Sequence, residues 1–245
     1  MEGVTSILCY APDFLRCFML KLTNRLQLVA DWVNPCIFMA DIGTDHAYLP
    51  VWCLQNFKAQ SAVAADINPK PLSNARKTVE EYGLEDKINL RLSDGLKNIA
   101  PDEAQEIVVA GMGGNQIADM IVETPWLRDE SKHLVLQPMT HFEDVRRSLC
   151  ENGFVIESEQ TTAEGERLYL VISARFADKT CFYPEWYYYA GELPHGNRET
   201  DALFLKKVIA RLQKRADAIK ESDNKESNKL FKIIEEIENE CRKNL

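Results

Sequence analysis

The sequence predicts an α/β fold, a doubly wound sheet of seven strands followed by a small helical domain. Five short apolar runs, each closed by a polar or glycine-rich turn and most followed by a helical stretch, end before residue 154. Two further strand-like runs, 154–158 and 167–174, then follow each other directly, the second with clear alternation. The chain of 245 residues, 45% hydrophobic, has room for one large domain and an appendage. The expected division is an N-terminal extension over 1–18, a main domain over 19–176 and a helical domain over 177–245.

Apolar residues Leu22, Leu26, Val29 and Val33 recur every three to four positions, which predicts a helix with Thr23 or Asn24 near its start. That helix places Arg25 near the ligand edge of the sheet. Residues 37–40 form the first buried strand, and the stretch 41–50, DIGTDHAYLP, carries the chain through a tight turn into a helix over 47–55. A second strand over 62–66 ends in Asp66. The helix over 69–82 turns Leu72, Ala75, Val79 and Tyr82 to one side and stops at Gly83. Strand 88–92 runs into Ser93-Asp94-Gly95-Leu96, strand 106–110 into Gly111-Met112-Gly113-Gly114, and strand 133–137 into Pro138-Met139, with a helix over 142–151. In the tail, Leu205, Ile209, Leu212, Ala216 and Ile219 make one helical stripe. Leu230, Ile234, Ile237, Cys241 and Leu245 make another, and polar residues 221–228 separate them, as in an antiparallel pair.

The polar ends of strands one to five fall on one edge of such a sheet, where ligands bind in this architecture. Gly43 lets a ligand approach the first turn closely, and amides at a helix start are expected to be free there. A dinucleotide fingerprint needs glycines two and five residues after Gly43, where this chain has Asp45 and Tyr48. A carboxylate about 4 Å from a pyrophosphate costs roughly 4 kcal/mol at an effective dielectric near 20, which disfavours NAD and FAD. S-adenosylmethionine carries no phosphate but has an ammonium and a sulfonium, and an acid suits it. Asp66, 23 residues past Gly43, stands where a carboxylate reaches a ribose diol; its alternative role is to cap the next helix. Asp94 is placed to accept a hydrogen bond from an adenine amine. Three glycines in four residues mark close approach of a ligand or another backbone, and Met112 offers an apolar contact or fills the core.

A net charge of −9 excludes a surface basic all over. Residues 201–245 hold 11 Lys+Arg against 9 Asp+Glu, so the tail is +2 and the remainder −11. Seven cysteines, odd in number and never in a CxxC, read as reduced thiols, with no metal site expected, in a cytoplasmic protein. No run is long and apolar enough to span a membrane, and the interrupted apolar patches before residue 20 are not expected to be a signal peptide.

Taken in order, DIGTDHAYLP, AADINPKPL, SDGL, AGMGG, LQPM and EGERLYLV resemble the TrmK-type bacterial tRNA (adenine-22-N1)-methyltransferases. The resemblance covers about residues 22–173. It implies a Rossmann-like class I S-adenosylmethionine-dependent methyltransferase domain, a helical, coiled-coil-like C-terminal domain, and tRNA as partner. It places Asp41, Gly43, Asp45, Asp66 and Asp94 around the donor, and Gly111, Gly113 and Gly114 near the transferring methyl. Met139 stands where the family usually has Asn, so Gln137 becomes the candidate for a polar contact to the target base.

Adenine N1 has an in-plane lone pair and needs no base before it attacks. The product is cationic, so a nearby carboxylate favours its formation, with Asp45 the candidate and His46 a later proton acceptor. N1 lies on the pairing edge, so the base must leave its stack and be held by aromatic and basic groups. Tyr48, Trp126 and Arg25 are candidates, with Lys206, Lys207, Arg211, Lys214 and Arg215 as a phosphate-gripping face. The assembly expected is a monomer or weak homodimer without a membrane partner. The rival readings are a methyltransferase with a protein or small-molecule acceptor, and a catalytically silent binding protein.

Overall fold

The computed structural model describes residues 19–243. Residues 1–18, with Cys9 and Cys17, and residues 244 and 245, with Leu245 of the second stripe, lie outside the described residues. Seven strands, β1 (Cys36–Ile42), β2 (Ala59–Asp66), β3 (Ile88–Leu92), β4 (Glu106–Gly113), β5 (His133–Thr140), β6 (Phe154–Glu164) and β7 (Arg167–Phe176), form one sheet in the order β3-β2-β1-β4-β5-β7-β6. The first five pair in parallel, and β7 runs antiparallel between β5 and β6. The strand order reverses between β1 and β4, which opens a crevice at their carboxyl ends.

Alternation along β1 divides the core. Met39 joins Ala62, Ala64, Val108, Val135 and Val171 on the face covered by α1 (Asn24–Trp32), α2 (Tyr48–Gln55) and α3 (Pro69–Glu81). Ala40 and Ile42 face the other way, toward α4 (Gly114–Glu123) and α5 (Phe142–Glu151). The same buried cluster continues into the C-terminal elements α6 (Glu185–Ala190), α7 (Glu199–Ile219) and α8 (Asn224–Arg242), through Ala190, Leu193, Phe204, Leu205, Val208, Leu212, Leu230, Ile233 and Ile237. The tail helices therefore share the core of the sheet.

Several boundaries depart from the sequence reading: β5 runs on to Thr140 and β6 to Glu164, and two other departures have local reasons. β4 does not stop at Ala110: it runs through Gly111 and Met112 to Gly113, with register shifts against β5 on either side of Met112. The polar stretch 221–228 is mostly helix. Asp223 caps α8 by accepting from Glu226 N at 3.0 Å, and Ser227, with no exposed surface, donates to Ala216 O at 2.9 Å between the two helices. Only residues 220–223 link α7 to α8.

The C-terminal elements are locked to the sheet by a buried ion pair. Arg146 Nε lies 2.6 Å from Glu159 Oε1 with both side chains fully buried, and Arg146 Nη1 donates to Tyr188 O and Tyr189 O at 2.9 and 3.1 Å. Glu159 Oε2 accepts from Glu192 N at 3.0 Å. No helix of the described residues is long and apolar enough to cross a membrane.

Candidate active site at the β1–β4 crevice

The turn after β1 is held by its own chain. Gly43, at φ +79°, donates its amide to Ala65 O at 2.8 Å, and Thr44 N reaches the same oxygen at 3.0 Å. Those two amides are engaged by β2, and the helix itself starts later, at Tyr48. Ala47 N donates to the Thr44 hydroxyl at 3.1 Å, and Ala47 itself sits at φ 54° before α2.

Asp41 lies at the buried base of this turn, 6% exposed. Burial pushes its carboxyl up to about 6, against the opposing effects of a hydrogen bond from Thr44 and the charge of Arg25. Asp45 is exposed above it, with Oδ2 3.4 Å from His46 Nε2, and the His46 ring stacks on Tyr48 at 5.0 Å and 8°. These residues, with Arg25, Gly43, Ala110, Gly111 and Glu164, line a cleft of about 390 Å³.

A second cavity of about 380 Å³ contains Asp94, Gly95, Met112, Gln116, Asp119 and Trp126. Met112 stands between the two: it lines the second cavity, and its Sδ would lie 3.0 Å from a Cβ placed on Gly43. Asp66 ends β2 with Oδ1 accepting from Asn68 N at 2.7 Å; it makes a local turn and does not cap α3. Asp94 Oδ2 accepts from Lys97 Nζ at 2.6 Å. The acids of β1, β2 and β3 thus stand at the ends of adjacent strands, and the donor set is one of carboxylates with no phosphate cradle. It fits a cationic nucleoside.

One sequence assignment changes. Gln137 has no exposed surface: its Oε1 accepts from Arg25 Nη1 at 2.9 Å and its Nε2 donates to Pro138 O at 2.8 Å, so it does not reach a target base. Gly114 is dictated by backbone, because a Cβ there would overlap Thr140 O and His141 O. Trp126 belongs to the second cavity, with Lys132 Nζ 5.9 Å from its ring, and not to the Tyr48 cleft. Gly113 precedes α4 and donates to Gln116 Oε1 at 3.2 Å. Thr44 and Glu164 were missed by sequence reasoning, although both sit inside the DIGTDH and EGERLYLV motifs that drew attention.

On α7, Lys206, Lys207, Arg211, Lys214 and Arg215 are exposed. Lys207 Nζ donates to Glu166 O at 2.8 Å, which ties α7 to the β6–β7 turn beside the cleft. Arg211 is already paired with Glu143 Oε2 at 2.9 Å, and Arg215 lies 4.0 Å from Glu226.

The sequence matches the family described as "Methyltransferase domain" over residues 22–172. The tRNA (adenine(22)-N(1))-methyltransferase of Bacillus subtilis (strain 168) is 37% identical over 79% of this chain and 82% of its own. The crystal structure of the B. subtilis M1A22 tRNA methyltransferase TrmK superposes with a TM-score of 0.76 at 30% identity, covering 91% of this chain and 97% of that one. M. capricolum TrmK, solved in complex with the cofactor product S-adenosyl-homocysteine, gives a TM-score of 0.71 at 28% identity, with 91% and 96% covered. With the crevice of acids at the β1–β4 reversal in place, the chain belongs to the tRNA (adenine(22)-N(1))-methyltransferase family.

Proposed function

We propose that this protein transfers a methyl group from S-adenosylmethionine to N1 of adenine 22 in tRNA. The observation that carries the reading is the row of carboxylates, Asp41, Asp66 and Asp94, at the ends of β1, β2 and β3, of which Asp41 lines the first cleft and Asp94 the second cavity. S-adenosylmethionine supplies an electrophilic methyl on a sulfonium.

Asp66 accepts from the ribose hydroxyls, and Asp94, braced by Lys97, accepts from the adenine amine. Asp41 and Asp45 face the donor's ammonium, and Asp45 also offsets the positive charge that develops on the acceptor base. No residue needs to remove a proton before attack, so the protein's work is alignment and exclusion of water. The stacked His46–Tyr48 pair, with Tyr48 40% exposed, offers an aromatic face at the cleft mouth for a base drawn from its stack. Lys206, Lys207 and Lys214 on α7 hold phosphates. In this reading residues 19–176 carry methyl transfer and 177–245 add RNA contacts, in a cytoplasmic monomer or weak homodimer.

The test is incubation of the full chain with labelled S-adenosylmethionine and unmodified tRNA carrying adenine or guanine at position 22, followed by mapping of the modified base. Label confined to N1 of adenine 22 is the expected result. Equal labelling of the guanine variant, or none on either, refutes the assignment.

A further inference from the structure

Away from the crevice, the fold brings together two cysteines from separate elements. Cys150 is the penultimate residue of α5, and Cys181 lies in the connector that leaves β7 after Phe176 and enters α6 at Glu185. Cys181 N donates to Cys150 O at 3.1 Å. A backbone hydrogen bond between two residues sets their Cα atoms about 5–6 Å apart, inside the range that a disulfide spans. The connector is stitched to the end of α5 at two more points, because Ala177 N and Lys179 N both donate to Gly153 O, at 3.0 and 3.3 Å.

The side chains cluster as well. Burial, and after it the Cys181 thiol, push the Cys150 thiol up to about 11. The Tyr183 hydroxyl is pushed up by burial first and then by the Cys181 and Cys150 thiols; it hydrogen-bonds Cys181, and its ring stacks on Tyr187 at 4.0 Å. Cys150 is 2% exposed and Cys181 is half-buried, so the connector cysteine is the one that meets solvent. Held as a thiol at neutral pH, Cys150 is a poor first target for an oxidant but stands ready to resolve an oxidised neighbour.

We propose that Cys150 and Cys181 form a peroxide-responsive disulfide that staples the connector into the C-terminal helices onto α5. In the first step the Cys181 thiolate attacks a peroxide oxygen, the O–O bond breaks and hydroxide leaves; the sulfur is oxidised to a sulfenic acid and the peroxide is reduced. In the second, Cys150 gives up its proton and attacks the Cys181 sulfur, the S–S bond forms, the S–O bond breaks, and the hydroxyl leaves with that proton as water. Two thiols and one hydrogen peroxide thus yield one disulfide and two waters, and an external thiol reverses the change. The bond closes a loop that contains β6 and β7.

The test takes the full chain, reduced and freed of reductant, through hydrogen peroxide treatment, trypsin digestion without reductant and mass spectrometry. The expected product is peptide 148–167 linked to peptide 180–198, lost after dithiothreitol. The linked chain should melt about 5–10 °C above the reduced one, because closing such a loop constrains the unfolded chain. Cys150→Ser should leave Cys181 as a sulfenic acid that dimedone traps, and Cys181→Ser should leave Cys150 unmodified. The proposal is overturned if no linked peptide forms, if either cysteine links instead to another cysteine or only between chains, or if Cys150 is oxidised as readily without Cys181. A linked chain that melts no higher than the reduced one overturns it too, since the pair would then not be set for the bond.

Discussion

Asp41 makes donor binding depend on pH in a direction the structure dictates. Its carboxyl is pushed by burial from 3.8 to about 6, so in the free protein it is substantially protonated below pH 6. The ammonium that donor and S-adenosylhomocysteine share prefers the carboxylate, and binding must then expel the proton. Affinity for S-adenosylhomocysteine should therefore plateau above about pH 7 and fall by about tenfold per pH unit below pH 6. The other charged groups lining the cleft are Arg25, Asp45, His46 and Glu164. Asp41→Asn should remove the slope, whereas His46→Gln should leave it. Calorimetry in two buffers of different ionisation enthalpy measures it directly, with about half a proton released per ligand near pH 6. An affinity that is flat from pH 5 to 8, or a slope that survives Asp41→Asn, refutes the reasoning.

The same burial has a cost to the fold. A carboxyl raised in the folded state from 3.8 to about 6 contributes stability that is fully present below the lower value and lost as pH rises through the upper one. The difference of about two pH units is on the order of 3 kcal/mol at neutral pH. Asp41→Asn should accordingly raise Tm at pH 7.5 by roughly 5–10 °C while weakening the donor, as expected where a site holds a destabilising group for function.

Three further outcomes follow from particular contacts. Glu159→Ala leaves the Arg146 guanidinium buried without its carboxylate and should cost about 3–5 kcal/mol in urea denaturation, since Arg146 is fully buried. Gly114→Ala drives a methyl into the carbonyls of Thr140 and His141 and should cost roughly 3 kcal/mol or more, read as a lowered Tm. Neutralising Lys206, Lys207 and Lys214 together should reduce the slope of tRNA affinity against salt by roughly two and leave S-adenosylhomocysteine affinity unchanged.

What could be read from the sequence was whatever has a period or a punctuation mark. Ile88–Leu92 and Phe142–Glu151 fall where apolar spacing puts them, and the acids Asp41, Asp66 and Asp94 stand at strand ends because the turns follow them. β4 was cut short at Ala110 because glycine has low strand propensity, whereas the bulge at Met112 lets the ladder continue. Asn224–Arg242 was entered late because polar residues on the outer face of a helix look like a loop until Ser227 finds its partner across the gap. The pairing of Gln137 with Arg25 is illegible for a different reason. Nothing local reveals that a glutamine at a strand end is wholly enclosed, or that an arginine on α1 points back to meet it across 112 positions of sequence.

Because α7, which carries Lys206, Lys207 and Lys214, joins the sheet through one continuous apolar interior, and Lys207 is pinned to the β6–β7 turn, the proposed reading makes the spacing between these lysines and the cleft a ruler. In that reading an RNA would be measured by its own folded dimensions: only a nucleotide lying that stride from the held backbone would arrive at the methyl, and a shortened or stretched arm would miss it.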